Sequence, residues 1–312
     1  MSLLPIPKPY SERTIQHMLE GWNPATADLL HKVYSSLANL YGIINLEAAW
    51  DIIKAVGVKL RKRDLIEFSS IARYENTCYY IFEADELFEC DKCADKDRFI
   101  VHRAHFPRPY CNAYSIYDLY YAQEEKPVYI PDDLLSFAEC DGVSKNPHWK
   151  ELCKLIGDLK DKTGKKLTES YYLSDSEKML IDYYKSETRR RKVAEAYNRP
   201  LSDRLLESLR FNILMGYDFD GSLIRYINDE KIMICKKDAK RLTELLMHVN
   251  NESNLWVNFG WSPSELVRHM PRSPIKEISM GGGMKKALAD GDIDVAQLKK
   301  ELAKMGIKLV ED

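Results

Sequence analysis

Between Asn23 and His105 the spacing of apolar side chains changes once, from a helical repeat to alternation. Leu29, Leu30, Val33, Tyr34, Leu37 and Tyr41 recur at intervals of three and four, which puts them on one face of a helix. Asn23-Pro24 supplies its start, because Asn accepts from orphan N–H groups and Pro at the first position has no N–H to lose. Gly42 closes this helix, and Ile43-Ile44 reads as a short strand. Asn45 then caps a second helix with Ala49, Trp50, Ile53 and Val56 on its inner face, and Gly57 stops it. A third helix fits Lys62 to Tyr74, with Leu65, Phe68, Ile71 and Ala72 inward. Beyond it, Thr77–Phe82 alternates as a strand, and Arg98–His102 is its return.

Three helices followed by a strand pair is the order of a winged helix-turn-helix, with the wing between the two strands. The predicted class is therefore α+β and mostly helical: a winged-helix-like N-terminal domain followed by an all-α C-terminal domain. The expected division is an extension over 1–22, the winged-helix-like domain over 23–126, a helical domain over 127–270, and a glycine-containing joint with a helical tail over 271–312. In the helical domain, Asn146-Pro147 starts a helix carrying Trp149, Leu152, Ile156 and Leu159. Ser174-Asp-Ser-Glu177 and Ser262-Pro263-Ser-Glu265 are capping boxes, and Leu205, Leu206, Leu209 and Ile213 mark another helix, as do Leu242, Leu245, Leu246 and Val249. The polar, lysine-rich run from Asp158 to Thr168 reads as a hinge or exposed turn, and Gly281-Gly282-Gly283 as a flexible joint.

Two segments add a resemblance. Pro127-Val-Tyr-Ile-Pro131-Asp-Asp-Leu-Leu135-Ser-Phe-Ala138 and Asn250-Asn251-Glu-Ser-Asn-Leu-Trp256-Val-Asn-Phe-Gly260-Trp-Ser-Pro263-Ser-Glu265-Leu266 resemble a group of uncharacterised bacterial proteins, mainly of Firmicutes, that often end in a SEC-C metal-binding motif. The resemblance extends from the first helices to about Leu266. It implies a winged-helix-like region joined to a helical domain, with no established activity. The chain departs from that group at its end: the last cysteine is Cys235, so the terminal cysteine cluster is missing and no zinc is implied there.

Charge bears on what a winged helix would do, because phosphate contacts by Lys and Arg supply most of the affinity for DNA. Residues 30–106 hold 11 lysines and arginines against 12 carboxylates, a balance that argues against strong binding. The cations are concentrated, however. Lys59, Arg61, Lys62 and Arg63 gather at the start of the third helix, where a recognition helix meets a groove, and Arg73 follows at its end. Glu83, Asp85, Glu86, Glu89, Asp91, Asp95 and Asp97 crowd the hairpin, so the patch would grip phosphate while the wing repels it. The run Arg189-Arg190-Arg191-Lys192 cannot all lie on one helical face and reads as a solvated helix.

Other motifs carry weaker chemistry. Cys90-Asp-Lys-Cys93 with His102 and His105 offers four zinc ligand types, although His105 falls past the strand end and the spacing is shorter than in a zinc finger. Asp218-Phe-Asp220-Gly221 resembles the nucleophile loop of haloacid-dehalogenase-like phosphatases, yet helical periodicity precedes it where that chemistry needs a buried strand, so the expectation is a helix-to-helix turn with Asp220 as cap. Asp290, Asp292, Asp294 and Glu301 match calcium-loop positions, but Val295 stands where the sharp turn needs glycine. No histidine-metal helix motif, nucleophile elbow or dinucleotide fingerprint is present, and the seven histidines share no register. No cofactor or metal is expected.

The chain has 312 residues, suggesting two domains, and seven scattered cysteines, which fit reduced thiols better than a disulfide scaffold. No apolar stretch approaches the ~20 residues needed to cross a bilayer. The reading is a non-enzymatic cytoplasmic accessory or regulatory protein. DNA or RNA is the first partner to consider, through Lys59, Arg61, Lys62, Arg63 and Arg73; the alternative is a protein-interaction module without DNA binding. A phosphohydrolase is a distant third.

Overall fold

Asparagine side chains start three of the principal helices. Asn23 Oδ1 accepts from the N–H of Ala25 at 2.9 Å, Asn45 Oδ1 from Ala48 at 2.7 Å, and Asn146 Oδ1 from His148 at 2.9 Å. Each satisfies first-turn N–H groups that the helix itself leaves free. The computed structural model describes residues 6–88, 93–106, 114–173, 175–269, 277–279 and 308–310. It divides into two compact units, Met1–Leu266 and Val267–Asp312.

In the first unit, α1 (Glu12–Leu19), α2 (Pro24–Tyr41), β1 (Ile43–Asn45), α3 (Leu46–Ala55), α4 (Lys62–Ala72), β2 (Tyr79–Phe82), α5 (Ala84–Leu87) and β3 (Phe99–His102) follow in that order. After them come α6 (Tyr114–Glu124), α7 (Gly142–Lys145), α8 (Pro147–Asp158), α9 (Asp175–Tyr183), α10 (Glu187–Tyr197), α11 (Leu201–Met215), α12 (Phe219–Asp229), α13 (Lys236–Glu252) and α14 (Pro263–His269). The chain is thus mostly helical with one small antiparallel sheet. Among the described residues of the second unit, β4 (Glu277–Ser279) pairs in parallel with β5 (Lys308–Val310). The triple glycine, the acidic run from Asp290 to Glu301 and the expected tail helix lie outside the described residues.

The sheet has the order β1-β3-β2, with Ile44 opposite Ile100 and Ile100 opposite Ile81. Because strand side chains alternate, this register sorts them into two sets. Ile44, Ile81 and Ile100 join a core formed with Leu30, Tyr34 and Leu37 of α2, Ile52 and Ile53 of α3, and Leu65 and Phe68 of α4. Ile43, Phe82, Phe99 and Val101 join a second core with Ile116 and Leu119 of α6, Leu152 and Ile156 of α8, Leu209 and Ile213 of α11, and Leu245 and Val249 of α13. Both faces of the sheet are buried, so residues on either side of position 126 share one hydrophobic body within Met1–Leu266. Trp50, expected on the inner face of α3, is half-buried, and Ile52 is buried in its place.

The segments 127–138 and 250–266 meet at the C-terminal end of α2. A 3-10 turn over Leu134–Phe137 packs on α2, where Asn39 Nδ2 donates to the carbonyls of Phe137 at 2.8 Å and Ala138 at 3.3 Å. Tyr41 Oη donates to the Tyr129 carbonyl, and the Tyr129 N–H donates to Phe259. Trp256 is fully buried, and its indole N–H donates to the Asn39 carbonyl at 2.8 Å. Gln123 of α6 donates from one amide nitrogen to the carbonyls of both Tyr41 and Trp256, each at 2.8 Å. These motifs therefore form a clasp that joins the two cores.

Gly42 permits the clasp. Its φ is +73°, and a Cβ there would stand 2.7 Å from both the Trp256 ring and Leu119 Cδ2. Gly42→Ala is expected to destabilise the protein by roughly 2–5 kcal/mol, from left-handed strain plus overpacking. Urea unfolding checks this, and a loss under about 1 kcal/mol would mean that Trp256 is free to move aside.

Candidate functional site

The start of α4 gathers the expected phosphate contacts. Arg61 is the N-cap residue with extended backbone and makes no side-chain cap hydrogen bond, so first-turn N–H groups are left without that partner. Lys59 is exposed on the approach to the helix and forms no ion pair among the described residues. Arg61 and Arg63 project strongly, their side chains being 81 % and 79 % exposed. Each is nonetheless matched. Arg61 donates from Nε and Nη2 to the two oxygens of Asp64 at 2.8 and 2.7 Å, and Arg63 Nε to Glu67 at 2.6 Å. Lys62 reaches back to Glu47 on α3.

Arg73 does not belong to this surface. Its guanidinium donates to Glu86 Oε2 at 2.8 Å and to the Ile81 carbonyl at 3.2 Å, leaving the side chain 11 % exposed. It lies at the far end of α4 and turns toward β2 and α5, so it holds the fold together and is not available to phosphate. That corrects its assignment from sequence.

Arg98, which the sequence reading did not single out, is the most heavily committed cation of this region. It is buried, and it donates to Glu83 at 2.9 and 3.0 Å, Asp95 at 2.9 Å, Ser69 at 2.8 Å and Ser70 at 2.7 Å. Its planar fork satisfies groups on α4, at the end of β2 and before β3 together. Of the carboxylates expected to repel phosphate, Glu83 and Asp95 are thereby paired by Arg98, and Glu86 by Arg73. Only the i,i+3 spacing of Asp95 and Arg98 hinted at this in the sequence.

Among the described residues, Cys93, His102 and His105 are not part of a converging ligand group. Cys90 lies outside the described residues, and Cys93 is disulfide-bonded and so carries no thiolate. Cys78, Cys140, Cys153 and Cys235 are free thiols, whereas Cys93 is in a disulfide. His102 and His105 are buried against Trp256, with ring centroids 4.7 and 5.3 Å from it. His102 Nδ1 accepts from the Ala104 N–H at 3.1 Å, His105 Nδ1 lies 3.1 Å from Ser115 Oγ, and His105 Nε2 has no partner. Burial holds both imidazoles well below the ordinary range, at about 3.

Asp218 stands between α11 and α12, and Asp220 is the second residue of α12, which begins at Phe219. Asp218, not Asp220, is the N-cap, accepting from the Gly221 N–H at 2.9 Å. Arg190 and Arg191 pair with Glu187 and Glu195 on their own helix. The lysine-rich stretch is an ordered turn about buried Asp161, which accepts from Thr163 N and Oγ1 at 2.7 Å, Lys165 N at 3.1 Å and Ser170 Oγ at 2.7 Å. Among the described residues, His148, His248 and Glu252 form the group whose ligand atoms converge. No helix among the described residues is long and apolar enough to cross a membrane. No protein-family model, no curated protein and no solved structure matches this chain.

The two buried histidines set a pH dependence. Their folded pKa values lie below the ordinary 6.5, so the unfolded chain takes up protons first on acidification. Their contribution is complete above about pH 6.5 and is lost as pH falls toward 3, at up to ~1.4 kcal/mol per pH unit for each. Urea unfolding at pH 7.5 and 5.5 is expected to show this loss in the native chain and a shallower one in His105→Phe. Equal slopes in the two proteins would remove His105 as its source.

Proposed function

We propose that residues 23–105 are a winged-helix module, and that the protein is a non-enzymatic cytoplasmic accessory or regulatory factor that contacts nucleic acid through the leading end of α4. The order helix, strand, helix, helix, strand, short helix, strand from α2 to β3 supports the module, as does the sheet order β1-β3-β2. The observation that carries the functional reading is the open start of α4, where first-turn N–H groups lack a side-chain cap and Lys59, Arg61 and Arg63 are exposed around them. Such an end favours a phosphate by its dipole and its free donors. The Arg63–Glu67 pair does not oppose this strongly, because exposed pairs are worth only about 0–1 kcal/mol and exchange readily, whereas Arg61 is held more firmly by the buried Asp64. The likeness to the SEC-C-associated bacterial proteins fits such a role without adding an activity.

A second reading has its own support. Asp64, Glu67 and Glu47 already match three of the four cations, leaving a surface close to neutral that suits a protein partner. Fluorescence anisotropy on a random-sequence duplex separates the two. Nucleic-acid contact predicts affinity that falls with salt at a log–log slope of roughly −3, for three to four phosphates. Lys59→Glu with Arg63→Glu is expected to weaken it at least 10-fold, by charge repulsion at those phosphates. Absence of binding at 50 mM salt, or an unchanged affinity in the double variant, would transfer the surface to a protein partner.

A further inference from the structure

α8 and α13 pack in opposite directions: Glu151 in the first turns of α8 pairs with Arg241 near the start of α13, whereas His148 at the start of α8 meets Glu252 at the end of α13. On α13, His248 and Glu252 are four residues apart and share a face. His248 Nδ1 lies 3.1 Å from Glu252 Oε1, and His148 Nε2 lies 3.8 Å from Glu252 Oε2. The two imidazoles stack with centroids 4.7 Å apart and planes 25° from parallel. Ligand atoms of all three residues fall within 4.8 Å of one another, and His148 Nδ1 is buried with no hydrogen-bond partner among the described residues.

We propose that His148, His248 and Glu252 bind one divalent transition-metal ion of the zinc type, and that the ion staples the first turn of α8 to the last turn of α13. Two imidazole nitrogens and one carboxylate are a donor set for zinc, cobalt or nickel, whereas magnesium and calcium take oxygen ligands. Three protein ligands complete a tetrahedron with water in the fourth position, and the half-exposed side chains leave that position open. Tetrahedral ligands at ordinary bond lengths stand about 3.3 Å apart, so the His248–Glu252 pair is already at that spacing. A small rotation of His148 brings its ring into range. This site is independent of the α4 surface and of the cysteines.

Isothermal titration of the full chain with zinc alone tests it, with thermal unfolding and a cobalt spectrum alongside. One ion per chain, a higher Tm with zinc, and at least 10-fold weaker binding in both His248→Ala and Glu252→Gln are expected. These changes are on exposed positions, so folding of the variants is checked by their Tm without metal. The cobalt form should show tetrahedral ligand-field bands and no thiolate-to-metal charge transfer. No binding at 1 mM zinc, affinity unchanged in the variants, or a thiolate band would overturn the proposal.

Discussion

The architecture depends on a three-stranded sheet with no solvent face. Its alternating side chains divide between two hydrophobic cores, Ile44, Ile81 and Ile100 toward α2, α3 and α4, and Ile43, Phe82, Phe99 and Val101 toward the later helices. A one-residue slip of β3 would exchange Phe99, Ile100 and Val101 between the cores, so the register is specified from both sides. The strands are only three and four residues long, and their stability comes from this double burial, not from ladder length. Trp256, Gln123, Tyr41 and Asn39 complete the joint by tying backbone carbonyls that a sheet of this size cannot reach.

The same economy governs charge. The hairpin carries many carboxylates, but Arg98 and Arg73 draw Glu83, Glu86 and Asp95 into a partly buried network. Burying these groups is tolerable because each finds a partner; removing one would strand the others. A surface that reads as strongly acidic along the chain is thus partly spent on internal structure; at the start of α4, Lys62 and Arg63 have half-exposed partners, while Arg61 is held by the buried Asp64.

Helical periodicity and caps were legible. Asn23, Asn45 and Asn146 cap the helices expected of them, and Leu65, Phe68, Ile71 and Ala72 are the buried face of α4. The pairing of Tyr79–Phe82 with Phe99–His102 followed from alternation alone. The candidate sites were less legible. Arg61, Lys62 and Arg63 lie together because they are consecutive, but Arg73 is directed elsewhere by what packs beyond α4. Asp218 and Asp220 are equally good caps on paper, and only the backbone path selects Asp218.

Local rules act over three or four residues, and for that reason the amino-acid order by itself determined the helices, their caps and the change of period that ends in a strand pair. Tertiary packing decided the rest, because it brings together groups that no local pattern relates. His148 and His248 stand a hundred positions apart and meet only where α8 and α13 run antiparallel. Tyr129 and Phe259 meet on α2, and Arg98 reaches Ser69 and Ser70 across the sheet's edge. Such contacts follow from which apolar faces bury each other, a property of the whole chain and of no single segment.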